Sequence, residues 1–416
     1  MRADLPSTQA NLMLKSALDH MGNHTVLRRA RLYITLVLLV LGTLSCGQGL
    51  MNAVKPSGSQ DFQWSPSRYL LHHENPYRLY LAHRSGEIKD NPFPLSQVPN
   101  YPASALIFLW PLAALNLEGA KWFWAGANML MGIGCVALLA RMTDTTKVIA
   151  LALLGLFFMS TPVRNTIGNG QHGLFSLYFF LLAVHFQIRN QTPLAALCLA
   201  ACWLKYTITF PLCLIFIRRG WRTTLVIAAA IHLGLVLFLS FWVSENPLNL
   251  LVGPLMVSKT GIDSTMFDTM ALTSYFGVES QQAGVGFGIA ILMAAAWAVA
   301  RSKIDLATDL IVLSFVSLVW SHHASYDYFV LIIPLFLAAR HLLQRSIGLV
   351  DILVAMSVLF VWFVPRVLDA ANSLFPKHGA LALADQIIFW SACLCIYVAL
   401  LAALTKVYMQ GRQGTN

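Results

Sequence analysis

Charge is what this sequence has least of. Asp, Glu, Lys and Arg make up 11% of its 416 residues, against about 25% in an ordinary soluble domain. With 57% apolar side chains and a mean hydropathy of +0.65, the chain cannot supply the polar surface that a water-soluble globule needs. Acidic residues are scarcer than basic ones, 18 against 28, which leaves a formal net charge of +10. The basic residues are spread singly or in pairs between apolar runs, so they mark membrane topology and not a nucleic-acid partner. There is no Gly-x-x-x-x-Gly-Lys-[Ser/Thr] loop, so direct use of ATP or a cytosolic sugar nucleotide is not expected. The seven cysteines (Cys46, Cys135, Cys198, Cys202, Cys213, Cys393 and Cys395) all lie in apolar segments. Neither Cys198/Cys202 nor Cys393/Cys395 has the tetrad of a zinc site, and no metal is expected.

What is present is a series of long apolar runs. In hydrocarbon only a helix satisfies its own backbone polar groups, so such runs read as membrane-spanning helices. The expected fold is all-α and polytopic, with about twelve spans near 32–54, 119–140, 148–162, 171–188, 193–205, 207–217, 222–243, 284–300, 305–320, 326–340, 348–365 and 385–406. Residues 1–31 form a polar cytoplasmic segment. Leu32 to Val54 is too long for a removable signal and reads as a retained first helix. Residues 32–406 make one transmembrane domain, and 407–416 a cytoplasmic tail. Counting crossings from an inside N-terminus puts Arg141/Lys147, Arg189, Arg218/Arg219/Arg222, Arg301/Lys303, Arg340/Arg345 and Lys406/Arg412 on the cytoplasmic side. That parity requires 193–205 and 207–217 to be two short spans meeting at Lys205 and Tyr206; one long helix is the alternative. Parity also makes Tyr101 to Asn116, broken by Pro102 and Pro111, a re-entrant or interfacial helix. External segments are then 55–118, 244–283 and 366–384.

On this topology the polar residues with chemical potential share the outer side. Asp61 lies just past the first span, where partial desolvation raises a carboxyl's pKa and suits it to accept a proton from a hydroxyl; helix capping is the bland reading. Asn169, Gln171 and His172 lie in the glycine-punctuated run Asn165 to Gly173, with amides suited to sugar hydroxyls. Lys205 stands between apolar runs, where a cation needs a carboxylate, an anionic ligand or water. His322, His323, Tyr326 and Asp327 form a polar turn; adjacent histidines on a helix point apart, which favours anion or hydroxyl recognition over metal.

This pattern resembles the GT-C-type glycosyltransferases that use polyprenyl-phosphate sugars, especially glycosyltransferase family 87 and its mannosyltransferases. The matching features are Asp61-Phe62, Glu74-Asn75-Pro76-Tyr77, Tyr101-Pro102, Pro111-Leu112, Gly170-Gln171, Lys205 before Pro211, Arg218-Arg219-Gly-Trp-Arg222, and the His322-to-Tyr328 turn before Pro334-Leu335. The resemblance implies a GT-C-like helical arrangement with short extracytoplasmic amphipathic or re-entrant helices, in a bacterial inner membrane. It implies Asp61 as general base, with Lys205, His322 and His323 on the donor phosphate. Asn169, Gln171, His172, Tyr77, Tyr326 and Asp327 would meet sugar or acceptor. The implied partners are a polyprenyl-phosphate-linked sugar, a glycolipid or glycan acceptor and membrane lipids, with no cofactor. Where the family often has Tyr-Pro-Pro and Lys-Pro, this chain has Tyr-Pro-Ala103 and Lys-Tyr206, which leaves sugar and acceptor open. A lipid-linked oligosaccharide polymerase or ligase, and a transporter or lipid flippase, are the competing readings.

Overall fold

A computed structural model describes residues 7–94, 97–258, 281–301, 306–321, 325–343 and 349–374, and among these every regular element is helical. The chain opens with α1 (Ser7–Val54), followed by two short helices, α2 (Trp64–Leu71) and α3 (Pro76–Ser85). A broken apolar stretch comes next: α4 (Ala103–Leu106), a 3-10 turn and α5 (Trp110–Ala113). Six helices of the central bundle follow: α6 (Leu117–Met142), α7 (Lys147–Met159), α8 (Thr161–Gly168), α9 (Gly173–Ile188), α10 (Thr192–Cys202) and α11 (Tyr206–Arg218). The described chain continues through α12 (Arg222–Trp242), α13 (Pro247–Ser258), α14 (Gln281–Arg301), α15 (Leu306–Val319), a 3-10 segment (Ser325–Leu331), α16 (Ile332–Leu343) and α17 (Leu349–Leu374).

Lipid tails are as apolar as leucine, so helices in a membrane associate through close packing. The contact of α1 with α7 shows this: a Cβ added to Gly42 would come to 2.5 Å from the Gly155 carbonyl oxygen. Above that crossing α7 gives way to α8 with a 60° bend. Ser160, extended at ψ 144°, makes the corner and caps α8 by accepting from the Val163 amide, and Pro162 begins the new helix. Four described segments are long and apolar enough to cross a membrane, or five with this bent pair. The count of about twelve spans is therefore met only in part, since several expected spans are shorter helices and 385–406 lies outside the described residues.

By length and composition Thr192–Arg218 is one of the four. Its internal contacts describe a hairpin. Thr209 Oγ1 donates to the Cys202 carbonyl, seven residues back, at 3.2 Å, whereas seven residues of straight helix rise about 10 Å. Trp203 Nε1 reaches Cys213 Sγ at 3.3 Å. At the far end Thr224 Oγ1 donates to Gln187 Oε1 at 2.6 Å, which brings the start of α12 back to the foot of α9. The turn is the 3-10 segment Trp203–Lys205, with Lys205 leaving helical geometry at φ −117° and ψ 73°.

The broken stretch after Tyr101 also returns to the end it left. Tyr101 O accepts from Tyr77 Oη at 2.6 Å, while Leu115 O accepts from Trp64 Nε1 at 3.2 Å. Its middle is anchored to α12, where His232 Nδ1 meets Ser104 Oγ at 2.8 Å and His232 Nε2 meets Ala200 O at 2.8 Å. Within the segment 244–283 residues 247–258 are helical, and α17 runs on to Leu374 into the segment 366–384.

Candidate functional site

The site is assembled where α1 ends. Lys121, near the start of α6, donates to the carbonyls of Lys55 and Pro56 at 3.0 and 3.3 Å, a cation on the open carbonyls of a helix C-terminus. Beyond this cap the chain lies against the α8–α9 turn: Ser59 N donates to Gly168 O and Asp61 N to Asn169 O, both at 3.0 Å. So Asp61 is held by its own backbone. The turn itself is held from α6, where Trp124 Nε1 donates to Gly170 O at 2.9 Å and Asn128 Nδ2 to Gln171 O at 3.2 Å. Gly170 has φ +66°, and a Cβ there would lie 2.7 Å from that of Phe62. Phe62 in turn stacks on Trp124, ring centroids 5.6 Å apart. Only glycine fits that turn.

The Gln171 side chain stands at the centre. Its Oε1 accepts from Tyr101 Oη at 3.2 Å and from Lys205 Nζ at 3.0 Å. Lys205 Nζ also pairs with Asp327 Oδ1 at 2.5 Å and lies over the Tyr326 ring, 4.9 Å from its centroid. The Lys205 amide donates to Ser176 Oγ at 3.0 Å, tying the hairpin tip to α9. Burial pushes the Asp61 carboxyl above the ordinary aspartate range, with the Gln171 hydrogen bond and the Lys205 charge opposing that rise.

Asp61, Gln171, Lys205 and the adjacent Tyr326 and Asp327 thus come together from four places in the chain. Other expected site residues fall elsewhere. Tyr77 is buried and its hydroxyl is spent on Tyr101 O, so it braces the loop from outside the cluster. Asn169 contributes its backbone carbonyl to Asp61. His172 is fully buried among Phe62, Tyr101 and Trp124, with neither ring nitrogen hydrogen-bonded among the described residues. His322 and His323 lie outside the described residues. Gly168, Gly170 and Gly173 have the spacing of a dinucleotide-binding fingerprint, but that motif follows a strand, and here α8 precedes it.

Tyr101, Trp124 and Asn128 belong to the site although no role was read for them in the sequence. A signal for two of them exists: Lys121, Trp124 and Asn128 fall at i, i+3 and i+7, one face of α6. All three are buried in an otherwise apolar helix.

The model of glycosyltransferase family 87 matches residues 100–321, just over half of the chain. The chain belongs to glycosyltransferase family 87. It is a membrane glycosyltransferase. Comparison with curated proteins and with solved structures gives no match. The family match covers Tyr101, Gln171 and Lys205 and begins after Asp61. In this glycosyltransferase, therefore, Asp61 is tied to the matched region through its backbone amide, which donates to the Asn169 carbonyl.

Proposed function

We propose that this glycosyltransferase moves a monosaccharide, mannose in the reading inherited from resemblance, from a polyprenyl-phosphate donor to a hydroxyl of a glycolipid or glycan acceptor. The observation that carries the reading is the cluster: the Asp61 amide is pinned to the Asn169 carbonyl, and Gln171, two residues on, accepts from the Lys205 ammonium. A proton acceptor and a cation thus belong to one site, the two groups that a displacement at a phosphate-bearing carbon calls for. In that displacement the acceptor oxygen forms a bond to the anomeric carbon as the bond from that carbon to the phosphate oxygen breaks. Asp61 takes the hydroxyl proton, polyprenyl phosphate leaves, and the anomeric configuration inverts. The developing phosphate charge needs positive partners. Lys205 is one, in competition with Asp327, and His322 and His323 are the others expected. A phosphodiester already leaves competently, so the scheme calls for no metal.

The reading places the reaction on the extracytoplasmic face of the inner membrane. Its support is the basic residues remote from Asp61: Arg28, Arg29 and Arg31 where the apolar span Arg28–Val54 of α1 begins, and Arg141, Lys147, Arg189, Arg218 and Arg222 at helix ends. Short loops rich in Lys and Arg stay on the cytoplasmic side. The test is transfer by purified protein in vesicles from polyprenyl-phosphate mannose to candidate glycolipids, wild type against Asp61→Asn. Loss of about a hundredfold to ten-thousandfold is expected for a general base; undiminished turnover in the variant overturns the assignment.

A further inference from the structure

We infer that Asp327 is a positioning residue that holds the Lys205 ammonium in the place the donor phosphate takes, so that the lipid binds by exchanging one anion for another. The inference rests on the proposed use of a lipid phosphate and names the residue that gives way to it. An ammonium has three N–H donors and no acceptor. Lys205 Nζ gives one to Asp327 Oδ1 at 2.5 Å and one to Gln171 Oε1 at 3.0 Å. The Tyr326 ring, its centroid 4.9 Å away, takes a third side. Lys205 is almost wholly buried, so a phosphate oxygen reaches the ammonium only by displacing one of the three.

What holds each partner decides which one goes. Gln171 Oε1 also accepts from Tyr101 Oη at 3.2 Å, and its turn is fixed by Trp124 and Asn128 through the Gly170 and Gln171 carbonyls at 2.9 and 3.2 Å. Tyr326 is fixed through its backbone, its carbonyl accepting from Thr166 Oγ1 at 3.1 Å. Neither carries a charge that a phosphate replaces. Asp327 does. Its chain is pinned on the other side as well, where Tyr328 O accepts from Trp362 Nε1 at 2.8 Å, so the exchange is a rotation of one side chain and the segment stays in place. Swapping carboxylate for phosphate keeps the ammonium paired, as a buried cation requires. The exchange has a cost, because the freed carboxylate loses its cation. That cost weakens donor binding, and substitution of Asp327 removes it.

The experiment follows thermal unfolding of the full-length protein in detergent against farnesyl phosphate, a short lipid phosphate, with farnesol as the same chain lacking the phosphate. Asp327→Asn strands the ammonium, and farnesyl phosphate should supply the missing anion. Its half-effective concentration should fall about tenfold to a hundredfold below that of wild type, the lower end of the coupling between close charge pairs. Farnesol should act alike on both proteins. A half-effective concentration in Asp327→Asn equal to or above that of wild type overturns the inference, because a carboxylate that only braces the fold does not compete with the ligand. Should Asp327→Asn not fold, the double variant Lys205→Met with Asp327→Leu, which strands no charge, gives the second test. It should respond to farnesyl phosphate no more than to farnesol, and a response equal to that of wild type overturns the inference. Absence of mannosyl transfer in wild type, with the tighter response in Asp327→Asn, would defeat the proposed reaction and leave the exchange standing. Transfer in wild type without that tightening would do the reverse.

Discussion

Lys205 Nζ and Asp327 Oδ1 lie 2.5 Å apart, joining residues 122 positions apart in the chain and both almost wholly buried. The pair stitches the α10–α11 hairpin tip to the 3-10 segment that leads into α16. Removing one partner of a buried pair strands the other charge, which commonly costs about 3–5 kcal/mol, whereas replacing both with apolar groups is far milder. Asp327→Leu should therefore lower the thermal unfolding temperature in detergent more than the double variant with Lys205→Met. A double variant as unstable as the single one would contradict this.

Asp61 titrates above the ordinary aspartate value because burial outweighs its favourable partners. A base must be ionised, so activity should fall as pH drops through that raised pKa, with an acid limb above the ordinary value of about 3.9. The stability sign is opposite. A carboxyl whose folded pKa exceeds its unfolded one holds its proton more tightly when folded, so stability declines as pH rises from the unfolded to the folded value. Asp61→Asn should unfold at or above the wild-type temperature at neutral pH while losing transfer. A clearly lower unfolding temperature would show that the ionised group stabilises the fold.

Gly170 and Gly220 both have positive φ, at 66° and 74°, but only Gly170 is crowded, by Phe62 and Ser59. Alanine at Gly220 should cost about 1 kcal/mol, the left-handed penalty alone. Alanine at Gly170 should cost more and also reduce kcat, because the turn that carries Gln171 and receives the Asp61 amide must move. Unfolding midpoints and kcat for the two variants, measured side by side, test the difference.

The hairpin at Lys205 places the loop at Gln191 and the start of α12 on one side of the membrane, as the Thr224 to Gln187 hydrogen bond at 2.6 Å requires. Cysteines introduced at the exposed positions Gln191 and Arg222 should react with an impermeant maleimide from the same side of sealed vesicles. Reaction from opposite sides would mean that Thr192–Arg218 crosses once.

Much of the helical order was readable because hydrocarbon imposes it: an apolar run of about 20 residues has few alternatives to a helix. Arg219 and Lys205 show where reading residues singly stops. Arg219 reads as one of a basic group with Arg218 and Arg222 and Lys205 as a cation between apolar runs, yet Arg219 meets the buried Asp309 at 3.3 Å while Lys205 meets Asp327, and neither carboxylate is near its partner in sequence. The competition for Lys205 was equally hidden, because spacing along the chain says nothing about which of two aspartates an ammonium reaches.

The sequence by itself determined the solvent and the helical class, since composition and periodicity respond to the membrane locally, and at Lys205 it left two short helices and one long one both open. Only the tertiary structure decided for the hairpin and decided who bonds to whom. It brought the Gln171 oxygen to the Lys205 ammonium, the Tyr77 hydroxyl to the Tyr101 carbonyl and the His172 ring among Phe62, Tyr101 and Trp124. The physical reason is that a hydrogen bond depends on ångström distances between side chains from remote helices, which close packing sets and no local run of residues encodes.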